Sequence, residues 1–158
     1  MRSYANNESV CDHPFEEAFI RHCRWTPSAA RPYVVNADPG LVDRLYDEEH
    51  TIKGVTLTAV GFYGPQGRVL RLPLAMPGIN DRITAFRYEG YKVTNYEMET
   101  AAVFVTSQAL GLKAASICGV VAKRTESEEI APPEIYHRAE VRFQKIVKRG
   151  LEELLQRE

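Results

Sequence analysis

Two apolar segments constrain the fold of this chain more than any other feature. Thr51–Tyr63 and Lys113–Ala122 are rich in β-branched or aromatic residues, which favour strands. The second is almost continuously apolar, which predicts a central strand covered on both faces. Both require neighbouring strands, and helical patterns lie around them. Because strands that alternate with helices form layered α/β domains, we expect an α/β fold with a mixed central sheet.

Helix signals are clear at several other positions. Asp38 and Pro39 form a typical helix start, with a capping carboxylate followed by proline at the first helical position. Gly111 is well placed to end a helix. The predicted helices are Pro14–Cys23, 39–46, Pro77–Phe86, Glu97–Leu110 and the amphipathic Pro132–Glu158, with Ile146, Val147, Leu151, Leu154 and Leu155 as its apolar stripe. The shorter predicted strands are Tyr33–Asn36 and Tyr91–Asn95.

Composition narrows the class of protein. A length of 158 residues, 44% hydrophobic and 26% charged, predicts one globular domain over residues 1–158. The net charge of -1 gives no reason to expect nucleic acid or an anionic membrane as partner. No run approaches the roughly 20 apolar residues that cross a bilayer. The three cysteines and four histidines lack disulfide or metal-ligand spacing, so we expect a reduced, cytoplasmic protein without metal.

The segment Phe62–Arg68 follows the longest predicted strand. In open α/β folds, ligands bind beyond the carboxyl ends of strands. Phe62 can stack on a flat heterocycle, and Gln66 and Arg68 can form hydrogen bonds with carbonyl and imide edges. The same residues also fit an ordinary surface loop with a solvated arginine. Its glycines and proline exclude regular structure at Gly64–Arg68.

Two further segments carry candidate site residues. In Thr94–Thr100, Glu97 and Glu99 flank Met98 where a strand turns into a helix. One carboxylate can accept hydrogen bonds from a vicinal diol while the methionine packs on a sugar. Acids in a first helical turn also complement the helix dipole without any ligand. In Gly119–Thr125, an apolar strand ends in two cations, which fits either an anionic leaving group or an ordinary strand end.

Taken in this order, the three segments resemble the uridine phosphorylase branch of the nucleoside phosphorylase family. GFYGPQGRVLRLPLA at Gly61–Ala75 is similar to the family's pyrimidine-recognition loop, and Val93–Thr100 corresponds to its ITNFEMES-like sequences. Val121–Arg124 corresponds to a strand that ends in Asn-Arg, where purine-specific relatives have Ser-Asp. The resemblance covers residues 4–158 and implies a three-layer phosphorylase/hydrolase-like fold with its N-terminal part missing.

The resemblance implies transfer of the pentosyl group of uridine to phosphate, with release of uracil, in nucleoside catabolism or salvage. Phosphate is then a co-substrate, and no cofactor is needed. Arg68 and Glu99 are the implied catalytic residues. The implied substrate-binding residues are Phe62, Gln66 and Arg68 for uracil, Glu97, Met98 and Glu99 for ribose, Val121 and Ala122 for the pocket wall, and Arg124 beyond the uracil O4 through water.

The sequence departs from the family on the phosphate side. The family has a GDPxR-like loop, a second phosphate-binding arginine and a Gly-Thr-rich turn, whereas here Asp38-Pro39-Gly40 is followed by Leu41. We therefore expect a truncated or split phosphorylase domain, with a homo-oligomer or partner chain that supplies the missing half. Lys123 replaces the usual asparagine, which leaves the choice among uridine, deoxyuridine and thymidine open.

Three hypotheses remain from the sequence. The first is a pyrimidine nucleoside phosphorylase, with a hydrolytic nucleosidase as its close variant. The second is a nucleoside-binding module or split remnant that binds uridine without turnover. The third is an assembly domain that keeps the family's dimer surfaces, through Tyr91–Leu110 and the N-terminal helix, and binds no ligand.

Overall fold

A computed structural model describes residues 5–124 and 128–156, with the backbone alone for residues 5–7, 123, 124, 128 and 129. Within these residues the helices are α1 (His13–Cys23), α2 (Pro39–Leu45), α3 (Ile79–Ala85), α4 (Thr100–Ala109) and α5 (Pro133–Leu155). The strands are β1 (Val55–Thr58), β2 (Arg87–Tyr88), β3 (Tyr91–Glu97), β4 (Ala122–Arg124) and β5 (Glu128–Ile130). Short 3-10 helices occur at Ala5–Val10 and Gly64–Gln66.

The chain divides into two compact units, which we describe separately. The first unit comprises Met1–Ala37 and Lys53–Ala114, and the second comprises Asp38–Ile52 and Ala115–Glu158. The single domain expected over residues 1–158 stays a prediction.

The first unit is built on a three-stranded sheet in the order β1-β3-β2. β1 runs parallel to β3, and β2 runs antiparallel to it. The sheet is therefore mixed, and together with the helices it confirms the predicted α/β class. At the carboxyl end of β1, Thr58 lies opposite Glu97 of β3, and this pairing fixes the ends of both strands at the same edge.

An aromatic core holds α1 and α3 against this sheet. Phe86 lies edge-on to Phe19, with ring centroids 5.2 Å apart, and Phe15 stacks on Tyr88 at 4.5 Å. Burial of each such side chain contributes about 1.5–3 kcal/mol. Cys23 is fully buried in the same cluster, and this burial raises its pKa to about 11. The thiol therefore stays protonated and acts as a small apolar group.

Local signals were sufficient to predict the start of α2 and the end of α4. The Asp38 carboxylate accepts a hydrogen bond from the Leu41 backbone N–H at 2.9 Å, with Pro39 at the first helical position. The Asp38 carboxylate therefore acts as an ordinary helix N-cap of α2. Gly111 has a φ of +70°, in the left-handed region that favours glycine, two residues after the end of α4.

The structure corrects three predictions for the first unit. The strand predicted over Thr51–Tyr63 is limited to β1, because β3, its pairing partner, ends at Glu97. Val60, which follows β1, is 95% exposed. Tyr33–Asn36 is not a strand, since the Val34 carbonyl instead accepts a hydrogen bond from Asp12 at the start of α1, at 2.8 Å. Gly64–Gln66 forms one 3-10 turn where no regular structure was expected.

The largest correction concerns Lys113–Ala122. Only Ala122 of this segment lies in a strand, and Cys118 and Val120 are exposed. β4 pairs antiparallel with β5, and no strand among the described residues pairs with residues 113–121. An apolar composition gives a central strand only where neighbouring strands complete its hydrogen bonds, so the prediction of a covered central strand was wrong.

In the second unit, α2 and the carboxyl half of α5 form an apolar groove of about 260 Å³. Val147, Leu151 and Leu154 line it, as the predicted stripe requires, whereas Leu155 is 73% exposed. Arg149 of α5 forms an ion pair with Asp47 at 3.0 Å and donates to the Tyr46 carbonyl at 2.9 Å. None of the helices in the described part of the chain is long and apolar enough to cross a membrane.

Candidate functional site

The sheet brings two of the predicted site segments to one edge. β1 and β3 are adjacent and parallel, so their carboxyl ends lie together, and the Ala59 N–H extends the pairing by donating to the Glu97 carbonyl at 2.8 Å. The segment Phe62–Arg68 follows β1, and Met98 and Glu99 follow β3. This edge is the position at which open α/β sheets bind ligands.

Three predicted residues of the first segment, Phe62, Gln66 and Arg68, form a contact cluster. The Arg68 guanidinium lies over the Phe62 ring, 3.7 Å from its centroid. Arg68 Nη1 donates to Gln66 Oε1 at 3.0 Å and also to the Phe62 carbonyl. Gln66 is buried, whereas Phe62 is 50% exposed. We call these residues the base cluster, and in it Arg68 is not a freely solvated surface cation.

The base cluster combines groups that suit a flat, carbonyl-rich ring. A guanidinium is planar and presents its N–H donors in a fixed fork, and the contact with the Phe62 ring restricts its position. The Phe62 ring beside it, which is 50% exposed, can take a second flat group. The amide of Gln66 can both donate and accept hydrogen bonds. Together these groups can recognise an imide edge and the face of its ring.

A glycine with positive φ shapes the turn between Gln66 and Arg68. Gly67 has a φ of +77°, and its N–H donates to the Gly64 carbonyl at 2.9 Å. A Cβ at this position would lie 2.4 Å from Asn80 Nδ2. Glycine is therefore required twice, by the backbone conformation and by the close approach of the Asn80 side chain.

Replacing Gly67 by alanine should therefore destabilise the first unit by about 2–4 kcal/mol, from left-handed strain plus overpacking against Asn80. Gly90 provides a matched control, because its φ is +83° but nothing lies within 4 Å of a Cβ there. We expect Gly90→Ala to cost only the strain, about 1–2 kcal/mol. Urea unfolding of both variants measures the difference, and equal losses would show that the Asn80 contact is unimportant.

Glu97 closes the start of α4. Its Oε2 accepts hydrogen bonds from the backbone N–H groups of Glu99 at 2.7 Å and Thr100 at 2.6 Å, and its Oε1 accepts from the Thr58 hydroxyl. Thr58 Oγ1 in turn accepts from the Ala101 N–H at 2.9 Å. These contacts satisfy N–H groups that the first turn of a helix leaves without partners. Helix α4 thus begins at Thr100, not at Glu97 as predicted.

The electrostatic environment of Glu97 agrees with this capping arrangement. Burial favours a higher pKa for its carboxyl group, but the hydrogen bonds from Thr58, Glu99 and Thr100 outweigh it and lower the pKa. Glu97 is therefore held as a carboxylate with both oxygens bound to protein groups. The Glu97 carboxylate therefore stabilises the turn between β3 and α4.

Met98 and Glu99 form the exposed part of the same turn. Met98 is 42% exposed, and Glu99 is also exposed. The Glu99 carbonyl accepts hydrogen bonds from Ala102 and Val103 in the first turn of α4, so its backbone is fixed. The two acids of this turn therefore differ in their surroundings: the Glu97 carboxylate caps α4, whereas Glu99 is exposed and accessible to a ligand.

The third predicted segment belongs to the second unit. Ala122 and Arg124 lie in β4, and the Val121 carbonyl accepts a hydrogen bond from the Ala131 N–H at 2.9 Å. Val121 is 37% exposed and Ala122 is partly buried, and the Arg124 side chain lies outside the described side chains. Their part in a ligand site stays a prediction.

The structure also shows residues that sequence reasoning missed. Thr58 donates to Glu97 and Asn80 donates to the Gln66 carbonyl, while Tyr96, within the segment Thr94–Thr100, donates to Asn80. In the sequence they are ordinary members of a strand or a helix, and their partners lie far along the chain. Among the described residues, no group of three or more histidine, cysteine or acidic side chains is arranged to hold a metal ion.

The fold is mixed α/β, and two of the predicted site segments lie at the carboxyl edge of its parallel strand pair. A sequence model described as the phosphorylase superfamily matches residues 3–152. The chain therefore belongs to the phosphorylase superfamily. It is also similar to a uridine phosphorylase of Thermococcus kodakarensis, with 32% identity over 81 residues. That alignment covers 48% of this chain and 26% of the relative. No solved structure gives a significant match.

Proposed function

We propose that the chain supplies the uracil- and ribose-binding side of a uridine phosphorylase, which transfers the pentosyl group of uridine to phosphate and releases uracil. The observation that carries the proposal is the base cluster, where Arg68 stacks on Phe62 and donates to Gln66. Membership of the phosphorylase superfamily supports a nucleoside phosphorylase type of activity. Similarity to a uridine phosphorylase supports a pyrimidine nucleoside as substrate.

The base cluster would act on charge that develops as the glycosidic bond breaks. The departing uracil becomes anionic while the sugar becomes cationic. Arg68 and the Gln66 amide NH2 would donate to the uracil oxygens, while the Gln66 Oε1 would accept from the N3–H. Each such preorganised donor can contribute about 3 kcal/mol in the transition state. Phe62 would stack on the ring or line its pocket. Arg68 is one of two residues to which we give a catalytic role.

Glu99 is the second residue with a proposed catalytic role, and it would act at the ribose. Its exposed carboxylate would accept hydrogen bonds from the sugar hydroxyls and tolerate the growing positive charge, while Met98 packs on the sugar face. Glu97 would contribute by positioning the turn, because its own oxygens cap α4. Phosphate, the co-substrate, would attack the anomeric carbon, and orientation would supply much of the acceleration. The scheme uses no metal or resident cofactor.

The phosphate side of the site would come from elsewhere in an assembly. The sequence has no GDPxR-like loop, and Asp38 of the only similar motif caps α2. We propose that a partner chain, or residues of a second copy other than such a loop, supplies the groups that bind phosphate. Val121 and Ala122 would line the pocket wall, with Arg124 beyond the uracil O4, and nucleoside catabolism or salvage would place the protein in the cytoplasm.

Incubating the full chain with uridine, with and without phosphate, tests the proposal. We expect uridine binding by calorimetry, and uracil release that depends on phosphate, followed by chromatography at high protein concentration where oligomers form. Release without phosphate would instead indicate a nucleosidase. Absence of uridine binding at millimolar concentration would overturn the proposed site.

A second candidate, a nucleoside-binding module without turnover, is favoured by the lack of a phosphate loop in the sequence. It predicts the same uridine binding, dependent on Gln66 and Arg68, but no uracil release under any phosphate concentration. The chromatographic assay therefore separates the two candidates, whereas the binding measurement tests the site that they share.

A further inference from the structure

A side-chain bridge connects the base cluster to the strand that carries the ribose-binding turn. The Tyr96 hydroxyl of β3 donates to Asn80 Oδ1 of α3 at 2.8 Å, and Asn80 Nδ2 donates to the Gln66 carbonyl at 3.3 Å. Tyr96 directly precedes Glu97, and Gln66 is followed by Gly67 and Arg68. The bridge therefore spans from one predicted subsite to the other.

The chemistry of the bridge allows one orientation of the Asn80 amide. A backbone carbonyl can only accept hydrogen bonds, so the Nδ2 group of Asn80 must face Gln66. Oδ1 then faces Tyr96, and the tyrosine hydroxyl must act as the donor. Each group thus specifies the role of the next, because reversing the amide would place Oδ1 against the Gln66 carbonyl, two acceptors with no hydrogen between them.

Gly67 independently shows that Asn80 holds the turn closely. The absence of a Cβ lets the Asn80 side chain lie where a Cβ would be 2.4–2.6 Å from three of its atoms. The turn itself is closed by hydrogen bonds from Gly67 N to the Gly64 carbonyl and from Arg68 N to the Tyr63 carbonyl, at 2.9 and 3.1 Å. Asn80 therefore fixes a turn that is already compact.

We propose that Asn80 and Tyr96 are positioning residues that set the base cluster at the correct distance from Met98 and Glu99. This inference rests on the proposed function, since it assumes that uracil and ribose occupy these two segments. Uridine joins base and sugar covalently, so it binds well only where both subsites are correctly spaced. Small misplacements can cost large factors in a site of this type, whereas free uracil needs the base cluster alone.

The prediction that follows concerns the ratio of uridine affinity to uracil affinity. Tyr96→Phe removes only the hydroxyl, and Asn80→Asp keeps the shape but places an acceptor against the Gln66 carbonyl. Each variant should lower uridine affinity by about tenfold and uracil affinity by no more than about twofold, from the loss of one or two hydrogen bonds. Calorimetry on the full chain with each ligand measures both. Tyr91→Phe, at the exposed start of β3, is the matched control and should change neither affinity.

Two further measurements separate positioning from a general loss of structure. In the ligand-free protein, Tyr96→Phe should speed hydrogen exchange at the Gly67 and Arg68 amides by about tenfold, with the thermal midpoint almost unchanged. In an Arg68→Ala background, the bridge variants should cause little further loss of uridine affinity, because they act through the same cluster.

The outcomes distinguish this inference from the proposed function. If the wild-type chain binds uridine and both bridge variants keep its uridine-to-uracil affinity ratio, the bridge inference is wrong and the proposed site stands. Equal losses for both ligands would assign Asn80 and Tyr96 a merely structural role and also overturn it. If the wild-type chain binds neither ligand, the proposed function fails, and the inference fails with it.

Discussion

Arg68→Ala is expected to lower the affinity for uridine and for uracil by about 10- to 100-fold. Hydrogen bonds that involve a charged group contribute about 1.5–3 kcal/mol when a partner is removed, and each 1.4 kcal/mol is a factor of ten. The loss should be similar for both ligands because the guanidinium serves the base. The same substitution also removes the stacking contact with Phe62 and the hydrogen bond to Gln66. Isothermal titration with each ligand measures the change.

Two variants control this experiment. Arg71 lies in the same loop and is exposed, so Arg71→Ala makes the same change of charge and should leave both affinities within about twofold. Arg68→Lys keeps the charge but not the planar fork, and should recover only part of the affinity. If Arg68→Ala binds uridine as tightly as the wild type, the base assignment is wrong for the enzyme and for the binding module alike.

The start of α2 and the end of α4 could be predicted because their causes are local. The cap at Asp38 depends on a carboxylate and on N–H groups within one helical turn, and Pro39 restricts its own φ. The same is true of the left-handed Gly111 after α4. These signals do not depend on distant residues, so they can be identified from the local sequence alone.

The strand predictions were wrong where strand pairing depends on residues elsewhere in the chain. Lys113–Ala122 has the composition of a central strand, but a strand also needs neighbours for its backbone hydrogen bonds, and composition does not supply them. β1 ends at Thr58 for the same reason, since its partner β3 ends at Glu97. The apolar residues beyond these limits lie on exposed or irregular backbone.

The candidate site shows the same division. Phe62, Gln66 and Arg68 occur close together in the sequence, so their contact followed from one short loop. The different surroundings of Glu97 and Glu99 could not be predicted, because Glu97 is bound by Thr58, which lies 39 residues before it. Asn80 likewise contacts Gln66 across a separation of 14 residues, and nothing in its own helix indicates this.

Glu97→Gln should lower the free energy of unfolding by about 2 kcal/mol, as the charge that supports several N–H groups is lost. Folding lowers the pKa of this carboxyl group below its ordinary value of 4.5. A carboxyl group with a lowered folded pKa stabilises the protein above its unfolded pKa, and this stability is lost as pH falls through the folded pKa. The wild type should therefore lose stability below about pH 4.5, and Glu97→Gln should lose less over the same range.

Glu99→Gln makes the same charge change two positions further on and should give the opposite pattern. We expect unfolding within about 0.5 kcal/mol of the wild type but uridine affinity lower by about tenfold, with uracil affinity unchanged because the carboxylate serves the sugar. Urea unfolding and calorimetry on both variants complete the comparison. Wild-type stability in Glu97→Gln would contradict the capping role, and a loss of uracil affinity in Glu99→Gln would contradict the ribose role. Because both acids lie in one strand-to-helix turn, the two variants test directly whether Glu97 stabilises the start of α4 while Glu99 binds the ligand.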